Sequence, residues 1–142
     1  TVEVGAEHGA QEGLETSNIV SVLENIAEVL MSDAQVLLVM SNVPDNASAQ
    51  ALARTLVEAK LVACVNILPG VQSVYRWQGQ IEQANEVTLL IKTTPQHYAQ
   101  LQRVLVDAHP YDVPEVIALP VTGGYAPYLQ WVVAETSSEK YA

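Results

Sequence analysis

Two apolar rhythms take turns along residues 34–142, and this alternation restricts the fold more than any other property of the chain. A period near two marks a half-buried strand and a period of 3.6 marks an amphipathic helix. Gln35 to Ser41 is a short apolar strand stopped by Asn42, Pro44 and Asp45, which favour a turn and a helix start. Ala47 to Lys60 is predicted as a helix with a Leu52, Ala53, Leu56, Val57 stripe and an outward i,i+4 pair, Arg54 and Glu58. Val62 to Leu68 is a second strand, closed by Pro69-Gly70. Val71 to Gln78 and Ile81 to Thr93 form a long hairpin around Gly79-Gln80. A helix opening at Pro95, capped by Thr94, buries Tyr98, Leu101, Leu105 and Ala108. Glu115 to Val121 is the next strand, and after Gly123-Gly124 a last helix over Ala126 to Glu135 carries Tyr128, Leu129, Trp131 and Val132.

The order βαββαβ plus a C-terminal helix predicts an α+β fold of ferredoxin-like type, an antiparallel sheet with two helices on one face. Around Val62 to Leu68 the residues are apolar on both alternations, Leu61, Ala63, Val65 and Ile67 on one side and Val62, Cys64 and Leu68 on the other. The uncovered face needs a cover, and a second copy of the chain supplies one, so a homo-oligomer is expected.

Charge separates a first segment from this domain. The chain of 142 residues carries a formal charge of −10, and residues 1–33 hold seven of its sixteen carboxylates with no Lys or Arg, leaving −3 for residues 34–142. Thr1 to Glu15 is acidic with no periodic pattern, and Asn18 to Leu30 has helical spacing with Glu24 and Glu28 outward. Residues 1–33 therefore read as an acidic, partly helical extension, a tag remnant or a mis-set start, with Met31-Ser32-Asp33 as the natural beginning of the domain. The segment lacks the basic n-region and unbroken h-region of a secretory signal. Net acidity argues against nucleic acid and anionic lipid as general partners, and no apolar run approaches the ~20 residues of a membrane span. A single cysteine, Cys64, excludes an intrachain disulfide and suits a reducing compartment.

The candidate metal donors are His109, Cys64 and Glu115, and imidazole, thiolate and carboxylate together suit Cu or Zn. Each has a plainer reading. Cys64 fits a small buried hydrophobe in an apolar strand. His109, before Pro110, fits a cap on the last carbonyls of a helix. Glu115 fits an interface partner of Lys92 or Arg76. A Cys64 nucleophile with His109 as base is a third reading, disfavoured by the apolar neighbours Ala63 and Val65. Tyr75, Trp77, Tyr111, Tyr128 and Trp131 are five of the eight aromatic residues and suit an oligomer interface or a ligand cleft, with Lys92 as a cation beside it. No glycine-rich phosphate loop follows a strand, so nucleotide binding rests on fold analogy.

Several long motifs occur in sequence: Leu61-Val62-Ala63-Cys64-Val65-Asn66-Ile67-Leu68-Pro69-Gly70, Tyr75-Arg76-Trp77-Gln78-Gly79, Ile91-Lys92-Thr93, His109-Pro110-Tyr111-Asp112-Val113-Pro114-Glu115 and Tyr128-Leu129-Gln130-Trp131. In order and spacing they resemble the CutA divalent-cation tolerance family over about residues 35–135. The resemblance implies a ferredoxin-like domain over residues 34–142, a homotrimer similar in plan to the PII signalling proteins, a cytoplasmic location, and an association with copper and other divalent metals without an established reaction. It implies a non-enzymatic protein of metal tolerance, weakly binding Cu(II) or another divalent cation and requiring no cofactor; the alternative is a PII-like sensor of a small molecule or nucleotide at subunit clefts. Some family members carry a cysteine at the end of the first strand and a histidine before the His-Pro-Tyr motif, where this chain has Ser41 and Ala108. Asp112 stands where members commonly have Glu.

Overall fold

The computed structural model describes residues 18–24 and 34–137, and the chain divides into two units, Thr1–Asp33 and Ala34–Ala142. In the first unit residues 18–24 are helical; the rest of the helix predicted to Leu30 lies outside the described residues.

The second unit contains β1 (Leu37–Val43), α1 (Asn46–Glu58), β2 (Cys64–Trp77), β3 (Gln80–Thr93), α2 (Pro95–Ala108), β4 (Ile117–Pro120) and α3 (Ala126–Thr136). The strands form one sheet in the order β2-β3-β1-β4, with every neighbouring pair antiparallel. The result is a mixed α+β fold in which the two central strands, β3 and β1, carry the core. On β1, Leu37, Val39, Ser41 and Val43 are buried and the residues between them are partly exposed. Their partners Thr93, Ile91, Leu89 and Val87 are buried too. The odd-numbered residues of both strands thus build the covered face, against Ala49, Leu52 and Leu56 of α1 and Leu101 and Leu105 of α2.

Local chemistry sets the ends of the elements. Asp45, in extended conformation, accepts a 2.7 Å bond from the Ser48 amide and starts α1. That donated bond holds the Asp45 carboxyl below its usual range. Arg54 and Glu58 meet at 3.8 Å on the outer face of α1 as the spacing predicts, whereas Val57, placed in the stripe, is exposed. Thr94 precedes α2 in extended conformation, but its hydroxyl bonds the His97 Nδ1 at 2.6 Å instead of capping a backbone amide. In α2, Ala108, expected on the buried face, is exposed because the helix ends there.

Pro69-Gly70 does not close a strand. Leu68 pairs with Thr88 and Val71 with Glu86, so one extra residue on β2 is absorbed as a bulge, with Gly70 at φ +79°. β2 is an edge strand, where proline's missing amide costs no ladder bond. The extra residue also shifts the phase of β2. Before it Cys64, Asn66 and Leu68 share the open face with Lys92, Leu90 and Thr88; after it Val71, Ser73, Tyr75 and Trp77 take that face opposite Glu86, Ala84, Glu82 and Gln80. The hairpin turns at Gln78 and Gly79, both with positive φ (49° and 80°), one residue earlier than predicted, which is the geometry two-residue hairpins favour. β1 begins two residues later than predicted and runs on to Val43, and β4 keeps only four of the seven residues expected.

Candidate functional site

The short β4 positions the site. It pairs with β1 only from Leu37 to Met40, so the edge of β1 beyond Met40 has no strand beside it. His109, directly after α2, fills the gap: its Nε2 lies 2.7 Å from the Asn42 carbonyl oxygen. A carbonyl only accepts, so Nε2 carries the proton. Nδ1 in turn accepts from the Tyr111 amide at 3.1 Å. The ring is therefore a neutral Nε2–H tautomer with both nitrogens engaged. It is 8% exposed and its plane tilts over the Tyr111 ring at 4.8 Å.

Asn42 is the hub of the polar network around this ring. Its side-chain oxygen accepts from the Thr88 hydroxyl at 2.6 Å, and its side-chain nitrogen donates to Glu115 Oε2 at 2.9 Å. Thr88 is the cross-strand partner of Asn42, so the register of β1 on β3 makes the first of these bonds. The Tyr111 hydroxyl donates to Glu86 Oε2 at 3.1 Å. Burial first, and then the bond to Glu86 and its charge, push the Tyr111 phenol up to about 12. The segment from His109 to Glu115 is thereby pinned to Asn42 of β1 at both ends and to β3 in its middle.

Between this segment and the hairpin lies a cleft of about 800 Å³. Tyr75 and Trp77 line it from β2, Glu86 from β3, Asn42 from β1, and Tyr111, Asp112 and Glu115 from the loop. Of the residues expected at a ligand cleft or interface, Tyr75, Trp77 and Tyr111 come together here. Lys92, Tyr128 and Trp131 do not line this cleft. Lys92 pairs with Cys64 across β2 and β3, its Nζ 3.9 Å from the Cys64 Sγ and in contact with the Asn66 side-chain oxygen. Tyr128 stacks on Trp131 at 5.7 Å, and its hydroxyl is held above the ordinary range by burial and by the neighbouring Cys64.

Within one chain the structure does not bring His109, Cys64 and Glu115 together. Cys64 stands at the level of Lys92 and Leu38, four residues along β1 from Asn42, or ~13 Å at strand spacing. Glu115 is bonded to Asn42, not to Lys92 or Arg76. Asn42, Thr88 and Glu86 are the residues that sequence reasoning missed. Asn42 sits next to Pro44 and Asp45 and reads as part of a turn; its one local signal is a polar residue on an apolar run.

Fold and cleft together define a small α+β protein with one sheet face covered by α1 and α2, an opposite face left exposed along β4 and the hairpin, and a polar network at the end of its central strand. Comparison with known proteins gives the class its family. The profile described as CutA1 divalent ion tolerance protein matches residues 37–135. The chain is 47% identical over 96 residues to a divalent-cation tolerance protein CutA of Pectobacterium atrosepticum, covering 68% of this chain and 87% of that one. It is 44% identical over 98 residues to the protein of the same name from Thermus thermophilus, covering 69% and 95%. The crystal structure of CutA from Xylella fastidiosa superposes with a TM-score of 0.72 at 44% identity, over 73% of this chain and all of that one. The chain belongs to the CutA divalent-cation tolerance family.

The family name raises the question of a resident metal, and the donors present do not fit one. Both nitrogens of His109 are used inside the chain, Cys64 faces an ammonium group, and Glu115 holds Asn42. Among the described residues no three His, Cys, Asp or Glu side chains gather closely enough to hold an ion.

Proposed function

We propose that this chain is a non-enzymatic, cytoplasmic homotrimer that serves tolerance to divalent cations and meets copper or similar ions weakly and reversibly. The strand order β2-β3-β1-β4 with α1 and α2 on one face supports a ferredoxin-like plan. The observation that carries the assembly is the open face and the hairpin: Tyr75, Trp77, Ile117 and Leu119 are 44%, 43%, 47% and 44% exposed in the single chain. Apolar surface of this extent is normally covered, and copies of the same chain around a threefold axis are the cover. Weak metal contact follows from the scattered donors.

Light scattering with copper calorimetry on the same sample tests this. Three chains per particle and a copper affinity of about micromolar or poorer are expected. A stable monomer, or copper retained through gel filtration, overturns it.

A second reading, a PII-like sensor of a small molecule, is favoured by the cleft itself. Its volume of about 800 Å³ falls in the range of small-molecule sites, ~300–1,000 Å³, and aromatic walls with a few convergent polar groups are the usual lining.

A further inference from the structure

Between Gln80 and Glu86, β3 has only β2 beside it, so the hairpin stands out from the sheet as a two-stranded ribbon. Both faces of the ribbon are apolar. Tyr75 and Trp77 stand on one; the cross-strand pair Arg76 and Ile81 stands on the other beside Val74, with Ile81 62% and Val74 66% exposed. A two-stranded ribbon is marginal in water by itself, and apolar side chains on both faces call for a cover on each. Tyr75 and Trp77 look across the cleft to the chain's own loop, whereas Arg76 and Ile81 do not line it.

Charge says what the second face meets. Glu86, Asp112 and Glu115 line the cleft and no Lys, Arg or His among the described residues does. Of the cations in residues 34–137, Arg54 pairs with Glu58, Lys92 is engaged by Cys64 and Asn66, and Lys60 has an interaction of its own. Arg103 is exposed on α2, with Asp107 one turn further along. Arg76 has no hydrogen bond or ion pair among the described residues, nor has Asp112. An arginine set in exposed apolar surface is the residue that interfaces favour, because its planar, weakly hydrated fork matches a carboxylate.

An apolar ribbon face with one arginine and an aromatic groove with carboxylates are complementary. They cannot meet within one chain, since the other face of the same ribbon is a wall of the groove. Between copies they can, and in a ring each copy presents one surface to the next and receives the other from the copy before. We infer that the Arg76 and Ile81 face of one copy's hairpin seats against the cleft of the next copy, the Arg76 guanidinium paired with that copy's Asp112 and close to its Glu86, and that three such contacts close the ring. The cleft is therefore incomplete in one chain. The inference rests on the homotrimer reading and names its contact; the sensor reading, whose site lies at subunit clefts, keeps the room that the hairpin leaves.

Subunit exchange between isotope-labelled and unlabelled full chain, read by native mass spectrometry, tests it. Exchange is expected to be about tenfold faster or more in Arg76→Glu and to return toward the original rate in the charge swap Arg76→Glu with Asp112→Arg. Both positions are exposed, so neither substitution disturbs the core. Independently, Arg76→Cys with Asp112→Cys in a Cys64→Ser background is expected to give chain-to-chain products with a short bismaleimide, dependent on both cysteines. If the original protein is a monomer, the homotrimer reading and the contact fail together. A trimer whose exchange is unchanged in Arg76→Glu overturns the contact and leaves the homotrimer reading standing. Faster exchange that the swap does not restore, or cross-links confined to single chains, also overturns the pairing of Arg76 with Asp112.

Discussion

On the face of the sheet that carries α1 and α2, Leu37, Val39, Leu89 and Ile91 have no exposure at all, whereas on the opposite face Ile117 and Leu119 stand nearly half exposed. Both faces are written by the same strands, in alternate residues of β1 and β3. The covered face is mostly aliphatic, with Ser41 and Thr93 as its buried polar members. The open face is mixed, grading from apolar residues near β4 through the Cys64–Lys92 pair to the polar network on Asn42. One face therefore serves folding and the other serves assembly and ligand, and a substitution is to be judged by which alternation it falls on.

The largest effect expected from this contrast is at Ile91. Replacing it by alanine removes three carbons from the middle of the core in a position with no solvent path, and a loss of about 3 kcal/mol is expected in urea unfolding. Leu119→Ala, on the open face of β4, removes as many carbons from a position 44% exposed; its cost is expected to be well under half of that and to depend on protein concentration, because its packing partners belong to other copies. Equal, concentration-independent losses at the two positions break the contrast.

The same alternation explains how much of the molecule is legible in the sequence. The type and order of the elements of the second unit follow from local periodicity, and Leu52, Leu56, Leu101 and Leu105 fall on buried helix faces as read. The hairpin is legible too, but not the continuity of β2 through Pro69-Gly70, because whether such a pair ends a strand or bulges within it depends on the partner strand. The site is harder. His109, Tyr111, Glu115, Tyr75 and Trp77 stand out as residue types, yet the residue that joins several of them is Asn42, bonded to positions 46, 67 and 73 residues away. Register at that distance leaves no periodic trace. Cys64 shows the converse: thiol and imidazole look like one donor set in a sequence, and the register holds them at different ends of the sheet.

A smaller effect of opposite sign is expected at Ser41, a polar residue on the covered face which, unlike Thr93 with its bond to the Leu61 carbonyl, has no partner. Its hydroxyl is enclosed. Ser41→Ala removes that unpaired group with almost no change of shape, and a gain of about 1 kcal/mol is expected as a rise in the urea midpoint. A loss of stability would mean that an ordered water satisfies Ser41 Oγ, and the covered face would then be less dry than its aliphatic lining indicates.

The smallest effect concerns the open face at high pH. Tyr111 is an acid whose neutral form the fold favours: burial, then the bond to Glu86 and its charge, raise it from 10.0 to about 12. The unfolded tyrosine releases its proton near pH 10. The contribution is therefore fully present below about pH 10 and is lost as the pH rises through about 12. Because Tyr111 is 37% exposed, solvent screens the interaction, and the change in stability is expected to be slight. Phenolate absorbance offers a more direct reading. Two tyrosines, Tyr111 and Tyr128, are expected to ionise above the ordinary range; the Tyr111 component is expected to be missing in Tyr111→Phe and to move down in Glu86→Gln, where the neighbouring charge is gone. A Tyr111 that ionises with the exposed tyrosines, unmoved by Glu86→Gln, would show that the loop and β3 are not joined in solution, and the open face would then lack the fixed wall on which its cleft depends.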